Sequence, residues 1–332
     1  MKNNFKRTFL VAGLACATLV ATAAIAPKGK KGKSAYSNPL MQKSPLPFGA
    51  PDFSKIKGEH YLPAIQAGIA EQRAEIKRIV TNKQKPTFQN TILAYEKSGL
   101  LLDRVKNVFF GVTEAHKTPD VEAAEKAIIP LLTDFENEIS FNQKFFERVK
   151  YVYDHEYNTL KGEDKVLLKE IYNGFVRSGA LLPKDKMERM KQINNRIAQL
   201  QQDFGNMLPK AAAAATIWVS DVNELAGLNE ADIAQCKKDA ESRGAKAPYC
   251  IVITNTTQQP ILASLDNRQL RERVWNASIH RADGTNTYNT FPFAVEIAKL
   301  RAEKAELMGY KNAAEYGLDN VMAKTPAKTY AF

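Results

Sequence analysis

The spacing of apolar residues is the feature of this chain that most restricts its fold. Between residues 59 and 318, apolar side chains recur at intervals of three and four residues, as in helices that bury one face. In one such segment Ile92, Val105 and Phe109 follow Thr87, a residue type that often caps helices. The pattern predicts a mainly α chain with helices at 59–80, 87–113, 119–140, 142–157, 163–180, 184–207, 229–243, 266–280, 288–308 and 311–318.

Two short segments depart from the helical spacing. Thr216–Val219 and Tyr249–Ile253 are rich in β-branched and aromatic residues, which favours strands, and we expect them to pair as one small β ribbon. Near the end, Thr325-Pro326 has the composition of a helix start, with a capping residue followed by a first-turn proline. Isolated helices shorter than about 12–15 residues are marginal in water. We therefore expect this sequence to be the first part of a longer protein.

The positive charge of the chain is concentrated at its start. The formal net charge is +11, and residues 1–34 hold seven basic residues and no acidic ones, which leaves +4 for residues 35–332. Basic and aromatic residues do not cluster as in a nucleic-acid-binding surface, and no glycine-rich dinucleotide-binding turn follows a predicted strand. We expect no nucleic-acid partner.

The first 26 residues have the features of an export signal. Basic residues within 2–7 precede an apolar run at 9–25, and small residues permit cleavage after Ala23 or Ala26. We expect a periplasmic or secreted protein without a further membrane segment. A lipoprotein cysteine at Cys16 and an uncleaved anchor are the alternatives.

A basic, proline-rich linker is predicted at 27–51 and a helical region at 52–332. The predicted mature part keeps two cysteines, Cys236 and Cys250. An oxidising compartment would allow them to pair, whereas two unpaired, half-buried thiols fit the sequence equally well.

Histidines are too few and too scattered for an evident metal site. The segment His155-Glu156 begins like the His-Glu-x-x-His zinc helix, but Thr159 stands where the second ligand would be. A threonine hydroxyl is a poor zinc ligand. We therefore predict that His155 is a solvated histidine at a helix end. None of the four histidines, which are His60, His116, His155 and His280, is predicted to be a metal ligand or a catalytic residue.

Several separated blocks resemble, in order, those of a known peptidase family. The resemblance extends over about residues 36–330 and is carried mainly by Asn38–Leu40, Pro45–Pro51, Asn255–Pro260, Arg301–Tyr310 and Met322–Pro326. These blocks are similar to the dipeptidyl carboxypeptidase (peptidyl-dipeptidase) branch of the thimet-oligopeptidase-like zinc metallopeptidases.

The resemblance implies a helical ellipsoid with a deep channel that admits short unstructured peptides, from which dipeptides are released at the C-terminus. It implies zinc as the cofactor of the complete protein, held in a C-terminal half that lies beyond this chain. The family's catalytic and metal residues therefore have no counterparts here, and the substrate-binding residues are unknown. The chain is expected to be the N-terminal half, a wall of the channel inactive alone, with short peptides and the C-terminal catalytic half as its partners.

Three basic residues are candidates for the channel lining. Arg104, Lys106 and Arg177 could meet a peptide carboxylate, or they could be ordinary charges on exposed helix faces. Two other functions stay open, namely an exported helical peptide-binding module and a truncated pseudoenzyme. A chain that lacks its C-terminal half is expected to expose an apolar patch larger than the few hundred Å² usual for monomers.

Overall fold

The protein is described here by a computed structural model that covers residues 38–285 and 287–332. It is mainly α-helical with a single two-stranded sheet among these residues, which confirms the predicted fold class. The predicted signal peptide at 1–26 and residues 27–37 of the predicted linker lie outside the described residues. Within the part of the chain that is described, no helix combines the length and the apolar character required to cross a membrane.

The chain divides into two compact units. The first contains the described residues up to Gln199 together with Ala302–Phe332, and the second contains Leu200–Arg301. The elements in chain order are α1 (Gly58–Val80), a π-helical turn (Phe88–Leu93), α2 (Ala94–Glu96), α3 (Leu100–Ala115), α4 (Pro119–Ser140), α5 (Gln143–Glu156), α6 (Gly162–Ser178), α7 (Lys184–Ala214), β1 (Ile217–Val219), α8 (Glu230–Ser242), β2 (Tyr249–Ile251), α9 (Gln258–Ser264), α10 (Arg268–Ile279), α11 (Phe291–Leu307), α12 (Ala313–Leu318) and α13 (Pro326–Ala331).

Short polar side chains set the start of many helices. Asn142, Asn229, Asn267 and Asn312 each accept a hydrogen bond from a backbone N–H in the first turn of α5, α8, α10 and α12. Thr325 caps α13 in the same way, by accepting from the N–H of Lys328, so the predicted helix start is confirmed. These caps satisfy N–H groups that have no partner within the helix.

The single helix predicted at 87–113 is wrong, because the chain breaks at Gly99. Gly99 has a φ of +72°, its N–H donates to the Glu75 carboxylate at 2.7 Å, and the side chain of Gln72 occupies the space of a Cβ atom. The predicted cap is confirmed, since Thr87 accepts from the N–H of Asn90. A tertiary contact with α1, rather than local propensity, ends the first helical piece.

One further boundary differs from the prediction, and one short helix was not predicted. The helix predicted to end at 207 continues as α7 through Pro209 to Ala214. The alanine run at 211–215 explains the extension, because alanine has the highest helix propensity. The short helix α9 was not predicted, since Asn255–Pro260 has the composition of a turn.

The core of the first unit is built from helices close together in sequence. One contiguous cluster of its buried apolar side chains lies between Leu40 and Ala180, and α7 adds the buried residues Met190, Ile193 and Ile197. Phe109 is fully buried with its ring centroid 4.9 Å from that of Tyr61, and Phe145 is fully buried between Tyr95 and Phe175. The apolar spacing therefore identified the buried faces of these helices correctly.

The second unit has its own core around the predicted ribbon. β1 and β2 pair antiparallel, with Trp218 opposite Cys250, which confirms the predicted pairing. Their inward residues pack with α8, α9 and α10 in a cluster that includes Val219, Leu225, Ile251, Ile253, Leu270 and Val274.

Candidate functional site

Arg104 and Lys106, two of the candidate channel residues, bind other parts of the first unit. The Arg104 guanidinium donates to the carbonyl oxygen of Leu40 at 3.0 Å and so attaches the turn Pro39–Met41 to α3. The Lys106 ammonium lies 3.7 Å from the Glu136 carboxylate on α4. Both side chains therefore have partners within the chain.

Arg177, the third candidate, holds α12 against α6. Its guanidinium donates to the Asp319 carboxylate at 2.8 Å and to the Tyr316 carbonyl oxygen at 2.7 Å, and lies 4.8 Å from the centroid of the Tyr316 ring. The Tyr316 hydroxyl donates back to the Arg177 carbonyl oxygen, and the Tyr310 hydroxyl donates to Asp319. These contacts fasten the segment after α11 to α6 within the first unit.

α11 is joined to α7 by polar contacts as well. Arg189 donates to both oxygens of the Glu303 carboxylate, at 2.6 and 2.8 Å, in the two-pronged geometry typical of arginine–carboxylate pairs. Both side chains are partly exposed, and such pairs contribute little to stability, about 0–1 kcal/mol.

A chain of amide side chains starts beside this pair. The ammonium of Lys304, which is 7% exposed, donates to the Asn194 Oδ1 at 2.7 Å. The Asn194 amide donates to Asn137 at 3.1 Å, Asn137 donates to Asn195 at 2.9 Å, and Asn195 donates to the Asp134 carboxylate at 3.3 Å. These five side chains, here called the amide relay, connect α11, α7 and α4.

The far end of the amide relay lines a cleft of about 250 Å³ between α1 and α4. Asp134 lies there together with Arg73, Phe135 and Glu138. Arg73 donates to both oxygens of Glu138 and lies over the Phe135 ring, and the hydrogen bonds with Glu138 raise the pKa of Arg73. The charge of Arg73 is therefore already neutralised, and these four side chains do not form a nucleophile–base arrangement.

The histidines are dispersed over the structure. His116, His155 and His280 are exposed, and His280 lies 2.7 Å from the Asp283 carboxylate. Hydrogen bonds from Thr285 and His280 lower the pKa of Asp283 to about 2. His60 is buried, its Nδ1 accepts from the N–H of Lys57, and its Nε2 has no hydrogen-bond partner. The buried position of His60 was not predicted from the sequence.

The two cysteines of the second unit are buried on packed elements. Cys236 on α8 is 4% exposed and Cys250 on β2 is fully buried. Burial, followed by the neighbouring Cys250 thiol, raises the pKa of Cys236 to about 11, and burial likewise raises the pKa of Cys250. Both thiols are free in the structure. Their pairing in the cell stays a prediction.

We expect the folded chain to react slowly with the thiol reagent iodoacetamide at neutral pH. The thiolate is the reactive form, and the raised pKa of Cys236 lowers its population by roughly 100-fold. Mass mapping of labelled peptides checks this, with the guanidinium-unfolded chain as the control. Rapid labelling of Cys236 in the folded chain would contradict it. If neither cysteine is labelled after unfolding without reductant, the two are paired.

Comparison with known proteins shows which family the chain resembles. The model of Peptidase family M3 matches residues 261–332. Dipeptidyl carboxypeptidase from Salmonella typhimurium is 36% identical over 297 residues, which is 89% of this chain and 44% of that protein. Residues 261–332 thus match peptidase family M3, and the chain as a whole is similar to dipeptidyl carboxypeptidases. The dipeptidyl carboxypeptidase from Escherichia coli is 35% identical over 296 residues, and Oligopeptidase A from Salmonella typhimurium is 27% identical over 301 residues.

The M3 match confirms the family that the sequence blocks indicated. The chain spans about 44% of the length of the two dipeptidyl carboxypeptidases. Residues 261–332, which match the family model, include α10 to α13 and therefore Lys304 and Asp319. Their partners Asn194 and Arg177 lie outside the matched segment.

Zinc, which the similarity to the M3 family implies, does not fit the described residues. His155 Nδ1 lies 2.8 Å from the Tyr151 carbonyl oxygen, and the His155 ring stacks on that of Tyr151. The Glu156 carboxylate accepts from the N–H of Phe88, and the Thr159 hydroxyl donates to the Glu156 carbonyl oxygen. Across residues 38–285 and 287–332, no three histidine, cysteine or acidic side chains converge as metal ligands.

Proposed function

We propose that this chain is the N-terminal part of a zinc-dependent metallopeptidase that, in complete form, releases dipeptides from the C-termini of short peptides. The observation that carries the proposal is the difference in similarity. Over nearly the same share of the chain, identity is 35–36% with two dipeptidyl carboxypeptidases and 27–28% with two Oligopeptidase A sequences. The resemblance is therefore greater to the branch that acts at peptide C-termini.

In this proposal the chain forms a wall of the substrate channel. Long helices suit that role, since α7 with its 31 residues is about 46 Å long at 1.5 Å per residue. A rigid helical wall excludes folded proteins and admits short unstructured peptides. The zinc ion and the groups that activate water come from the remainder of the longer protein, and the chain alone is inactive.

Exposed apolar side chains in the M3-matched segment support the presence of a further partner. Phe291 and Val295, one turn apart on α11, are 61% and 53% exposed. Isolated exposed apolar residues are ordinary, but apolar groups that cluster on the surface often mark a contact with other protein. The proposed C-terminal catalytic half would cover them.

The proposed location is the periplasm or the extracellular medium. Its support is the basic and apolar composition of residues 1–26, which is typical of a signal peptide.

The test combines the size of the native protein with its specificity. An antibody against residues 38–332 is used to isolate the protein from an exported fraction of its source, and its intact mass is measured. We expect a species of roughly twice the mass of this chain, since the chain spans 44% of its relatives. We also expect release of dipeptides from an N-acylated pentapeptide, abolished by a chelator and restored by zinc.

A matched pentapeptide with an amidated C-terminus is the control. A carboxypeptidase that recognises the free carboxylate leaves it intact, whereas an oligopeptidase that cleaves internal bonds degrades both peptides. Equal cleavage of the two peptides would contradict the proposed specificity. A native protein of the size of this chain, without activity, would contradict the proposed enzyme.

A further inference from the structure

The amide relay joins α11 to two helices that lie outside the M3-matched segment. We infer that Lys304, Asn194, Asn137, Asn195 and Asp134 act as a register lock, which holds α11 in one rotation and one axial position against α7 and α4. The inference does not depend on the proposed peptidase activity.

The charges at the two ends give the relay a single direction. Lys304 can only donate and the Asp134 carboxylate can only accept, while each asparagine amide does both. Each of the three amides therefore turns its oxygen toward Lys304 and its nitrogen toward Asp134, as the four distances show. Hydrogen bonds arranged in one direction polarise and strengthen one another.

α11 requires such a device because its apolar residues do not define one face. Phe293, Val295, Ile297, Ala298 and Leu300 occur around the helix, and most α11 side chains stay partly exposed. Apolar packing alone would accept several rotations of a helix with this pattern. Lys304 and Ala305 are the α11 residues that are buried.

A shift of α11 would break the relay at its charged end. Movement by one turn, about 5.4 Å, would bring Leu300 or Met308 to the place of Lys304. The amide oxygen of Asn194 would then lose this donor, and the buried lysine ammonium would lose this acceptor. Loss of hydrogen-bond partners from a buried charge costs more than a lost apolar contact. The exposed pair Arg189–Glu303 does not impose this penalty, since water replaces either partner.

The first test is a double-mutant cycle between the two ends of the relay. The variants Lys304→Met, Asp134→Asn and their combination are compared by chemical unfolding of the full chain. If the two ends acted independently, the effects of the two single substitutions on the unfolding equilibrium constant would multiply. We expect the effect of the double substitution to differ from that product by about fivefold. In an Asn137→Leu background, which interrupts the relay, the departure is expected to vanish. For the control pair, Arg189→Met with Asp134→Asn, we expect the two effects on the unfolding equilibrium constant to multiply.

The second test separates register from stability. Replacing Lys304 and Asn194 together by Met and Leu removes the polar contact and fills the space with apolar atoms, which restores stability in comparable cases. The methyl group of Ala305, fully buried beside Lys304, is followed by NMR. We expect one Ala305 signal in the unmodified chain and more than one in the folded double variant. The register lock would be overturned if the effects of Lys304→Met and Asp134→Asn on the unfolding equilibrium constant simply multiply. A single, unshifted Ala305 signal in the Lys304 and Asn194 double variant would also overturn it.

Discussion

Replacing Phe145 with alanine is expected to lower the free energy of unfolding by about 3–5 kcal/mol. Phe145 is fully buried in the first unit, with its ring centroid 5.0 Å from that of Tyr95 and 5.2 Å from that of Phe175 in edge-on geometry. Removal of the ring leaves a cavity among side chains that cannot collapse to fill it. Guanidinium unfolding followed by far-ultraviolet circular dichroism measures the change.

Phe48→Ala is the matched control for this prediction. Phe48 lies in the turn Pro47–Gly49 and is completely exposed, at 108% of the reference area. Its replacement should change the free energy of unfolding by no more than about 0.5 kcal/mol. Comparable effects of the two variants would mean that Phe145 does not belong to a packed core.

A methyl group at position 227 should destabilise the second unit by about 2–5 kcal/mol. Gly227 has a φ of +93°, and a Cβ atom there would lie 2.1 Å from the Ser264 carbonyl oxygen. The adjacent carbonyl oxygen of Ala226 accepts from the N–H of Asp266, which holds the two segments together. Gly227→Ala therefore combines an unfavourable backbone conformation with a clash between the new Cβ atom and the Ser264 carbonyl oxygen, which cannot move away freely.

Gly244→Ala separates the two contributions. Gly244 has a φ of +85°, but no atom lies within 4 Å of the position that a Cβ atom would take, so the substitution carries the conformational cost alone, about 1–2 kcal/mol. Both tryptophans of the chain, Trp218 and Trp275, lie in the second unit, and their fluorescence during unfolding reports on it directly. If Gly227→Ala proves no more harmful than Gly244→Ala, the close approach to Ser264 is wrong.

Local sequence patterns were sufficient for most of the fold. The period of the apolar residues located the buried faces, as the complete burial of Ile92, Val105 and Phe109 shows. The break at Gly99 could not be predicted in this way, because it depends on Glu75 and Gln72 of a different helix. A glycine inside a helical pattern indicates such a break only weakly.

The candidate site was less accessible to sequence reasoning. Arg104, Lys106 and Arg177 were selected as charged residues on helices, but their partners lie far away in the sequence, as Asp319 does from Arg177 at a separation of 142 positions. The amide relay was missed for the same physical reason. Asn194 and Asn195 are ordinary residues on a polar helix, and only the packing of α4 and α11 against α7 brings their partners to them. No local signal singles out Lys304, since Arg301, Glu303 and Glu306 beside it on α11 are charged as well.

The position of the first core in the sequence affects how the protein is made. One contiguous apolar cluster of that core lies entirely between Leu40 and Ala180, so this part of the core can form while later residues are still being added at about 5–20 residues per second. Its contacts are mostly between neighbouring helices, and such cores form quickly. Passage through a secretion channel that accepts only unfolded polypeptide would therefore have to begin early, or a chaperone would have to hold residues 40–180 apart until translocation. Maturation of the proposed exported protein is thus a competition between synthesis, folding and transport.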